Sequence, residues 1–214
     1  MSGEEREIDA HKVSLEELCK RFNTNVESGL TKEQVAEGQK EHGPNQIRNP
    51  PQVPIWVRLC CFCFCLKEIK KNGLSYGPEY QKNPAKSTHV RRNGSTVEIS
   101  AEDLTVGDIV DLKAGDLVPA DIRIIKSDGF KVIIIIMLLT MILLTINKVE
   151  QSSLTGESEP KAKKPEFSHE NPLETQNLAF FNTRAAEGSC TGIVINVGMN
   201  TVYGRIAHLS SDLS

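Results

Sequence analysis

The stretch Thr88-His89-Val90-Arg91-Arg92-Asn93-Gly94-Ser95-Thr96-Val97-Glu98-Ile99 decides how the fold is read. Two runs that favour extended backbone flank Asn93-Gly94. That dipeptide tolerates positive φ at both central positions of a tight turn, and its flanking runs alternate, so a β-hairpin is expected. Working outward, further strand candidates are Asp108–Lys113, Asp121–Lys126, Asn177–Phe181 and Gly192–Val197. Short strands at this spacing, broken by turn residues, predict a compact barrel-like or jelly-roll domain. Thr201–Leu213 carries Val202, Ile206 and Leu209 at helical spacing with Thr201 in the capping position, so a closing helix is expected.

Upstream the periodicity changes. Ser14-Leu15-Glu16-Glu17 reads as a helix start, with Ser14 capping, Glu17 returning the bond and Val13 stapling onto Leu18. The same grammar recurs with Thr31 as cap, Gln34 as the answering residue, and Leu30 and Val35 as the staple pair. A turn around Ser28-Gly29 joins the two helices, and Gly43-Pro44-Asn45 ends the second, since proline cannot continue it. The chain divides into a helical region at 1–50, an irregular segment at 51–87, and a β domain at 88–214.

Two segments resist this scheme. Cys60-Cys61-Phe62-Cys63-Phe64-Cys65 packs four cysteines into six residues. The plain reading gives them no special role. Acylation beside an apolar stretch and metal binding are the alternatives, although a structural zinc site needs a second ligand pair elsewhere. Val132–Ile146 is fifteen residues without a charge. It falls short of the roughly twenty residues that span a bilayer. It is too long and too uniformly apolar for a half-exposed strand.

Composition excludes several classes. The chain has 214 residues, a formal net charge of -3 and 39% apolar residues, enough to bury a core. Ten acids and seven bases fall in residues 1–50, and the remainder is balanced. No basic field is present to neutralise a phosphate backbone, so nucleic acid is not an expected partner. The acidic opening Met-Ser-Gly-Glu-Glu-Arg-Glu lacks the apolar core of a secretory signal and the basic character of a mitochondrial presequence.

Chemistry concentrates in Leu154-Thr155-Gly156-Glu157-Ser158-Glu159-Pro160. Gly156 allows close backbone approach, and hydroxyls at Thr155 and Ser158 flank the carboxylate of Glu157. Such a carboxylate can align a water for attack on a phosphoryl or acyl group. On spacing alone the motif is an ordinary turn. Lys161, Lys163 and Lys164 behind it read as a solvated basic face.

Three blocks in order change that weight: Gly107-Asp108-Ile109-Val110, Ala114-Gly115-Asp116-Leu117-Val118-Pro119-Ala120-Asp121, and Ser153–Pro160. Together they resemble the actuator domain of a P-type cation-transporting ATPase. Ser14–Ile47, Asn171–Asn177, Ala179–Thr183 and Thr201–Ala207 are similar to the sodium/potassium- and proton/potassium-exchanging α subunits.

The resemblance implies a mainly β, distorted jelly-roll actuator-like domain with a helical N-terminal extension and a short C-terminal helix. It implies that Glu157 positions and activates the water that hydrolyses an aspartyl phosphate. Thr155 and Ser158 shape the loop, and Gly156 lets the backbone come close. ATP and magnesium are implied for the complete pump, with none held by this chain. The implied partners are the phosphorylation domain of the same or a full-length pump and a pump β subunit, with the membrane reached through that pump. The implied location is the cytoplasmic face of the plasma membrane; a chain existing alone would be soluble or membrane-associated.

The pattern departs from the family at three points. The Asp-Lys-Thr-Gly-Thr phosphorylation motif does not occur in the 214 residues. Residues 51–87 stand where a first transmembrane pair is expected. An apolar insertion at 133–148 interrupts the β domain before the Thr-Gly-Glu-Ser loop. The expected function is therefore part of a pump α subunit, inactive alone. The alternative is a stand-alone, non-enzymatic module that binds a pump or another partner.

Overall fold

The computed structural model describes residues 9–47, 85–133 and 160–212, with side chains to residue 208 in the last helix. The Cys60–Cys65 cluster, nearly all of the apolar run and the Thr155–Ser158 motif lie outside the described residues.

Helices α1 (Leu15–Arg21) and α2 (Lys32–His42) form where the caps place them. Ser14 accepts from the Glu17 N–H at 3.3 Å. Thr31 and Gln34 close a reciprocal capping box, each satisfying a donor the helix leaves unpaired. Gly29, at φ +68, begins the docking of this helical pair on the sheet. A Cβ there would lie 1.8 Å from the Arg91 carbonyl oxygen, so no other residue fits without moving the hairpin.

The expected hairpin is β1 (Ser87–Arg92) and β2 (Ser95–Ser100), with Arg92 opposite Ser95 and positive φ at Asn93 and Gly94. Strands β3 (Ile109–Lys113), β4 (Asp121–Ile133), β5 (Lys161–Ala162), β6 (Leu178–Ala179) and β7 (Arg184–Asn196) complete a sheet ordered β2-β1-β3-β7-β4-β5, with β6 also on β4. Every pairing between these strands is antiparallel. Helix α3 (Val202–Asp212) follows, and Thr201 Oγ1 accepts from the Gly204 N–H at 3.0 Å.

Two strands run longer than the sequence suggests. The expected strands Asp121–Lys126 and Gly192–Val197 stop short of Ser127–Ile133 and Arg184–Thr191, through which β4 and β7 go on pairing with register shifts. Gly188, at φ +72, lets Asp128 and Gly129 come so close that a Cβ would sit 2.3 Å from the Asp128 carbonyl oxygen. The result is a long, bulged ribbon that carries β5 at its far end.

Alternate residues serve two cores. Val110 and Val194 face Leu104, Val118, Phe130 and Val132. Ile109, Ile193 and Ile195 face the opposite cluster with Ala10 and Leu18 from the N-terminal region and Val202 and Ile206 from α3. Burial of both faces explains the nearly unbroken apolar run in the second half of β7. Asn45 joins the helical region to this core. Its Nδ2 donates to Ala101 and Pro119 carbonyls at 2.8 and 2.7 Å, and its Oδ1 accepts from the Gly198 N–H at 2.8 Å.

Candidate functional site

Strand β5 pairs with β4. Lys161 pairs with Val132 and Ala162 with Lys131. The Lys163 N–H then donates to the Phe130 carbonyl at 2.9 Å, and Ser127 Oγ donates to the Lys163 carbonyl at 2.7 Å. The next amide, Lys164, donates to Gln176 O at 3.1 Å. The main chain at 161–164 is thus held by β4 on one side and by the 175–177 segment on the other.

Lys163 departs from the solvated face expected for this run: Lys161 and Lys164 are exposed, but Lys163 is buried at 5% exposure. Its Nζ donates to the Thr175 carbonyl at 3.0 Å and lies 5.9 Å from the centroid of the Phe180 ring. Burial, with the Lys161 charge adding to it, pushes its pKa down to about 8. Local sequence gave no signal for this, because its partners lie 12 and 17 residues downstream.

Beside it, Arg123 on β4 donates from Nη1 to the Pro165 carbonyl at 2.7 Å, and its burial lowers its pKa to about 10. Asn177 donates from Nδ2 to the His11 carbonyl at 2.9 Å and accepts from Thr175 Oγ1 at 2.8 Å. His11 Nε2 lies 2.7 Å from the Glu170 carbonyl. The 165–177 segment is therefore tied to both β4 and the N-terminal region.

The acids of the other two motif blocks hold the scaffold. Asp108 is fully buried, meets Arg92 through two bonds of 2.9 and 2.6 Å, and accepts from the Thr105 N–H at 2.9 Å. Asp116 accepts from the Lys113 N–H at 2.9 Å in the turn after β3. Asp121 accepts from the Phe181 and Val202 N–H groups at 2.9 and 2.8 Å, joining β4 to the first turn of α3. Burial raises its pKa to about 6 despite those bonds.

Thr155, Gly156, Glu157 and Ser158 lie outside the described residues, so their expected roles pass to the proposal below. Among the described residues no group of His, Cys, Asp or Glu could hold a metal ion. Cys19 and Cys190 are free thiols, and burial pushes Cys190 up to about 12. No described helix is long and apolar enough to cross a membrane. A groove of about 1020 Å³ runs between α1, α2, β7 and α3, past Arg21, Glu37, His42 and Asn196. None of its lining residues belongs to β4 or β5.

Residues 82–211 match the family model described as the P-type ATPase actuator domain. The chain belongs to the P-type ATPase family. Residues 10–60 match a second model, the cation transporter/ATPase N-terminus. The sodium/potassium-transporting ATPase subunit alpha-B of Artemia franciscana is 36% identical, over 98% of this chain and 24% of its own length. The sodium/potassium-transporting ATPase subunit alpha of Drosophila melanogaster is also 36% identical, over 98% of this chain and 23% of its own length. The alpha-2 subunit of Gallus gallus is 34% identical, over 96% and 23%. This P-type ATPase chain thus spans about a quarter of the length of the curated relatives it matches. The Artemia match runs over 260 positions, more than the 214 residues here, so the relative carries stretches without a counterpart. The mainly antiparallel sheet, the helical N-terminal extension and the short C-terminal helix agree with the actuator fold the motifs imply.

Proposed function

We propose that this chain supplies the dephosphorylation module of an ATP-driven monovalent cation pump. In this reading Glu157 aligns and activates the water that attacks an aspartyl phosphate held on a separate phosphorylation domain. Thr155 and Ser158 support the loop, and Gly156 admits the backbone to the phosphate. In phosphoryl transfer, positioning and charge stabilisation carry most of the catalysis, so a rigid carrier for one carboxylate is a sufficient contribution.

The observation that carries the reading is the β4–β5 pairing. It anchors the chain four residues after Glu157 on a sheet that belongs to the actuator family. Residues 1–50 serve as the N-terminal region and 51–87 stand in place of a first transmembrane pair. Residues 88–214 form the actuator domain, interrupted at 133–148. ATP, magnesium, a β subunit and the cytoplasmic face of the plasma membrane belong to the complete pump. The transported ions are sodium and potassium, as the relatives' names state for those proteins, or protons and potassium.

A graft tests this. Residues 9–47 and 85–212 replace the matching segments of the Drosophila sodium/potassium-transporting ATPase subunit alpha, expressed as that protein's own complex. ATP hydrolysis by the graft, with none by the 214-residue chain alone, is the expected result. A graft that forms phosphoenzyme and never releases phosphate contradicts the proposal and favours a non-enzymatic binding module.

A further inference from the structure

Asn93 and Gly94 are both exposed at the tip of the β1–β2 hairpin, and the pair has a chemistry of its own. An asparagine side-chain amide is open to attack by the next main-chain nitrogen when the next residue is glycine, which puts no Cβ in the way. The Gly94 nitrogen gives its proton to water and bonds to Asn93 Cγ. The bond from Cγ to the side-chain nitrogen breaks, and that nitrogen leaves as ammonia. The product is a cyclic succinimide, which water then opens at either carbonyl. Attack at Cγ leaves an aspartate at position 93 in an ordinary backbone. Attack at the main-chain carbonyl carbon leaves an isoaspartyl link, with the chain running through the former side chain. Water is the one co-reactant.

The fold holds this reaction shut. The Gly94 N–H donates to the Ser28 carbonyl at 2.7 Å, and the Asn93 N–H donates to the Leu30 carbonyl at 3.1 Å. A proton held by a carbonyl oxygen is harder to lose, because the oxygen's partial negative charge repels the nitrogen anion left behind. Positive φ at both residues keeps the pair in a tight turn. Ring closure has to swing the Gly94 nitrogen toward Cγ and off the Ser28 carbonyl. The acceptor side is itself built. Asn25 Oδ1 accepts from the Glu27 and Ser28 N–H groups at 2.8 and 3.3 Å, and the Asn25 carbonyl accepts from the Gly29 N–H at 2.8 Å. Ser28 and Gly29 belong to the connection between α1 and α2, so the helical region covers the reactive pair.

We propose that Asn93-Gly94 is a self-modification site gated by the N-terminal helices: closed while the Ser28 carbonyl holds the Gly94 amide, and open to succinimide formation when the 28–30 turn lifts from the hairpin. The isoaspartyl product adds a methylene to the main chain of the turn, so the bonds to Ser28 and Leu30 cannot both re-form at their old spacing. Modification thus opposes renewed docking of the helical region, and the site keeps a covalent record of its opening.

A reaction that needs a locally opened state runs at the open-state rate multiplied by the open population. The 214-residue chain is incubated at neutral pH below its unfolding transition, and conversion at position 93 is timed by peptide mapping and mass. A synthetic peptide with the sequence of residues 89–98 gives the rate of the unrestrained pair. Amide hydrogen exchange in the chain gives the protection of the Gly94 N–H. Conversion in the chain is expected to be at least tenfold slower than in the peptide, and to match the slowing of Gly94 exchange within about threefold. Asn25→Ala, which removes the side-chain acceptor for Glu27 and Ser28, is expected to speed exchange and conversion together. Conversion in the parent at the peptide rate overturns the inference. So does conversion slowed far more than exchange, which makes the hairpin turn itself the barrier. An Asn25→Ala chain whose Gly94 exchange rises while conversion does not overturns it as well. If Asn25→Ala does not fold, the two rates in the parent still decide.

Discussion

Lys161 lies opposite Val132 in the short pairing of β5 with the end of β4. The described part of β4 ends at Ile133, one residue beyond that rung. The two ends of the connection are thus fixed side by side whatever its length. Closing a flexible loop costs only about 0.6 kcal/mol more for each doubling of length. Deleting Ile134–Lys148 is therefore expected to leave the fold intact and to change its stability by less than about 1 kcal/mol. Urea unfolding checks this; loss of the cooperative transition means that the apolar run is part of the core.

The Asn45 side chain bonds groups far away in the sequence, at Ala101, Pro119 and Gly198. Asn45→Ala leaves two carbonyls and an N–H without those partners in a buried place. Each orphaned group costs about 1–3 kcal/mol, and the three are not additive. A loss of about 3 kcal/mol in chemical denaturation is expected. A loss below about 1 kcal/mol means that the helical region is not held through this side chain.

Asp108 and Arg92 form a pair in which the acid is fully buried and the base partly buried. Removing one partner of such a pair strands the other and costs about 3–5 kcal/mol. Asp108→Ala should reach that range, because it also frees the Thr105 N–H. The double change Asp108→Ala with Arg92→Leu should recover part of the loss. A double mutant no better than the single shows that the stranded charge is not the cause.

Stability should depend on pH in two separate windows. The Lys163 pKa is lowered from 10.5 to about 8 on folding, so the unfolded chain binds more protons between those values. Stability attributable to this residue therefore rises from pH 8 to pH 10.5, by about 1.4 kcal/mol per unit of displacement. Asp121 is raised from 3.8 to about 6, so here the folded chain binds more protons, and its contribution falls as pH rises from 4 to 6. The difference in unfolding free energy between parent and Lys163→Met, and between parent and Asp121→Asn, isolates each window. A difference that stays flat across its window contradicts the corresponding burial.

Local signals in the sequence carried the local structure. Asn93-Gly94 produced its hairpin, and Ser14, Thr31 and Thr201 capped the helices they were expected to cap. What failed were features set by distant partners. The strand expected to end at Lys126 continues through Ser127-Asp128-Gly129, because Gly188 lets β7 press against it. Lys163 reads as surface because its neighbours Lys161 and Lys164 are surface, and nothing nearby announces Thr175 or Phe180. Asn45 reads as a helix-ending residue, and its side-chain bonds to Ala101, Pro119 and Gly198 span 56, 74 and 153 positions. The Thr155–Ser158 motif was singled out only through resemblance, its spacing alone describing a common turn, and it lies outside the described residues.

The central claim is that Glu157 drives release of phosphate from an aspartyl phosphate. The most direct measurement is phosphoenzyme decay in the graft, comparing Glu157 with Glu157→Gln after labelling with ATP and a chase. Loss of a positioned general base slows the chemical step by roughly 100-fold or more. Phosphoenzyme that forms normally and persists at least that much longer in the Glu157→Gln graft is the predicted result. Phosphoenzyme that decays at the parent rate in that variant contradicts the account.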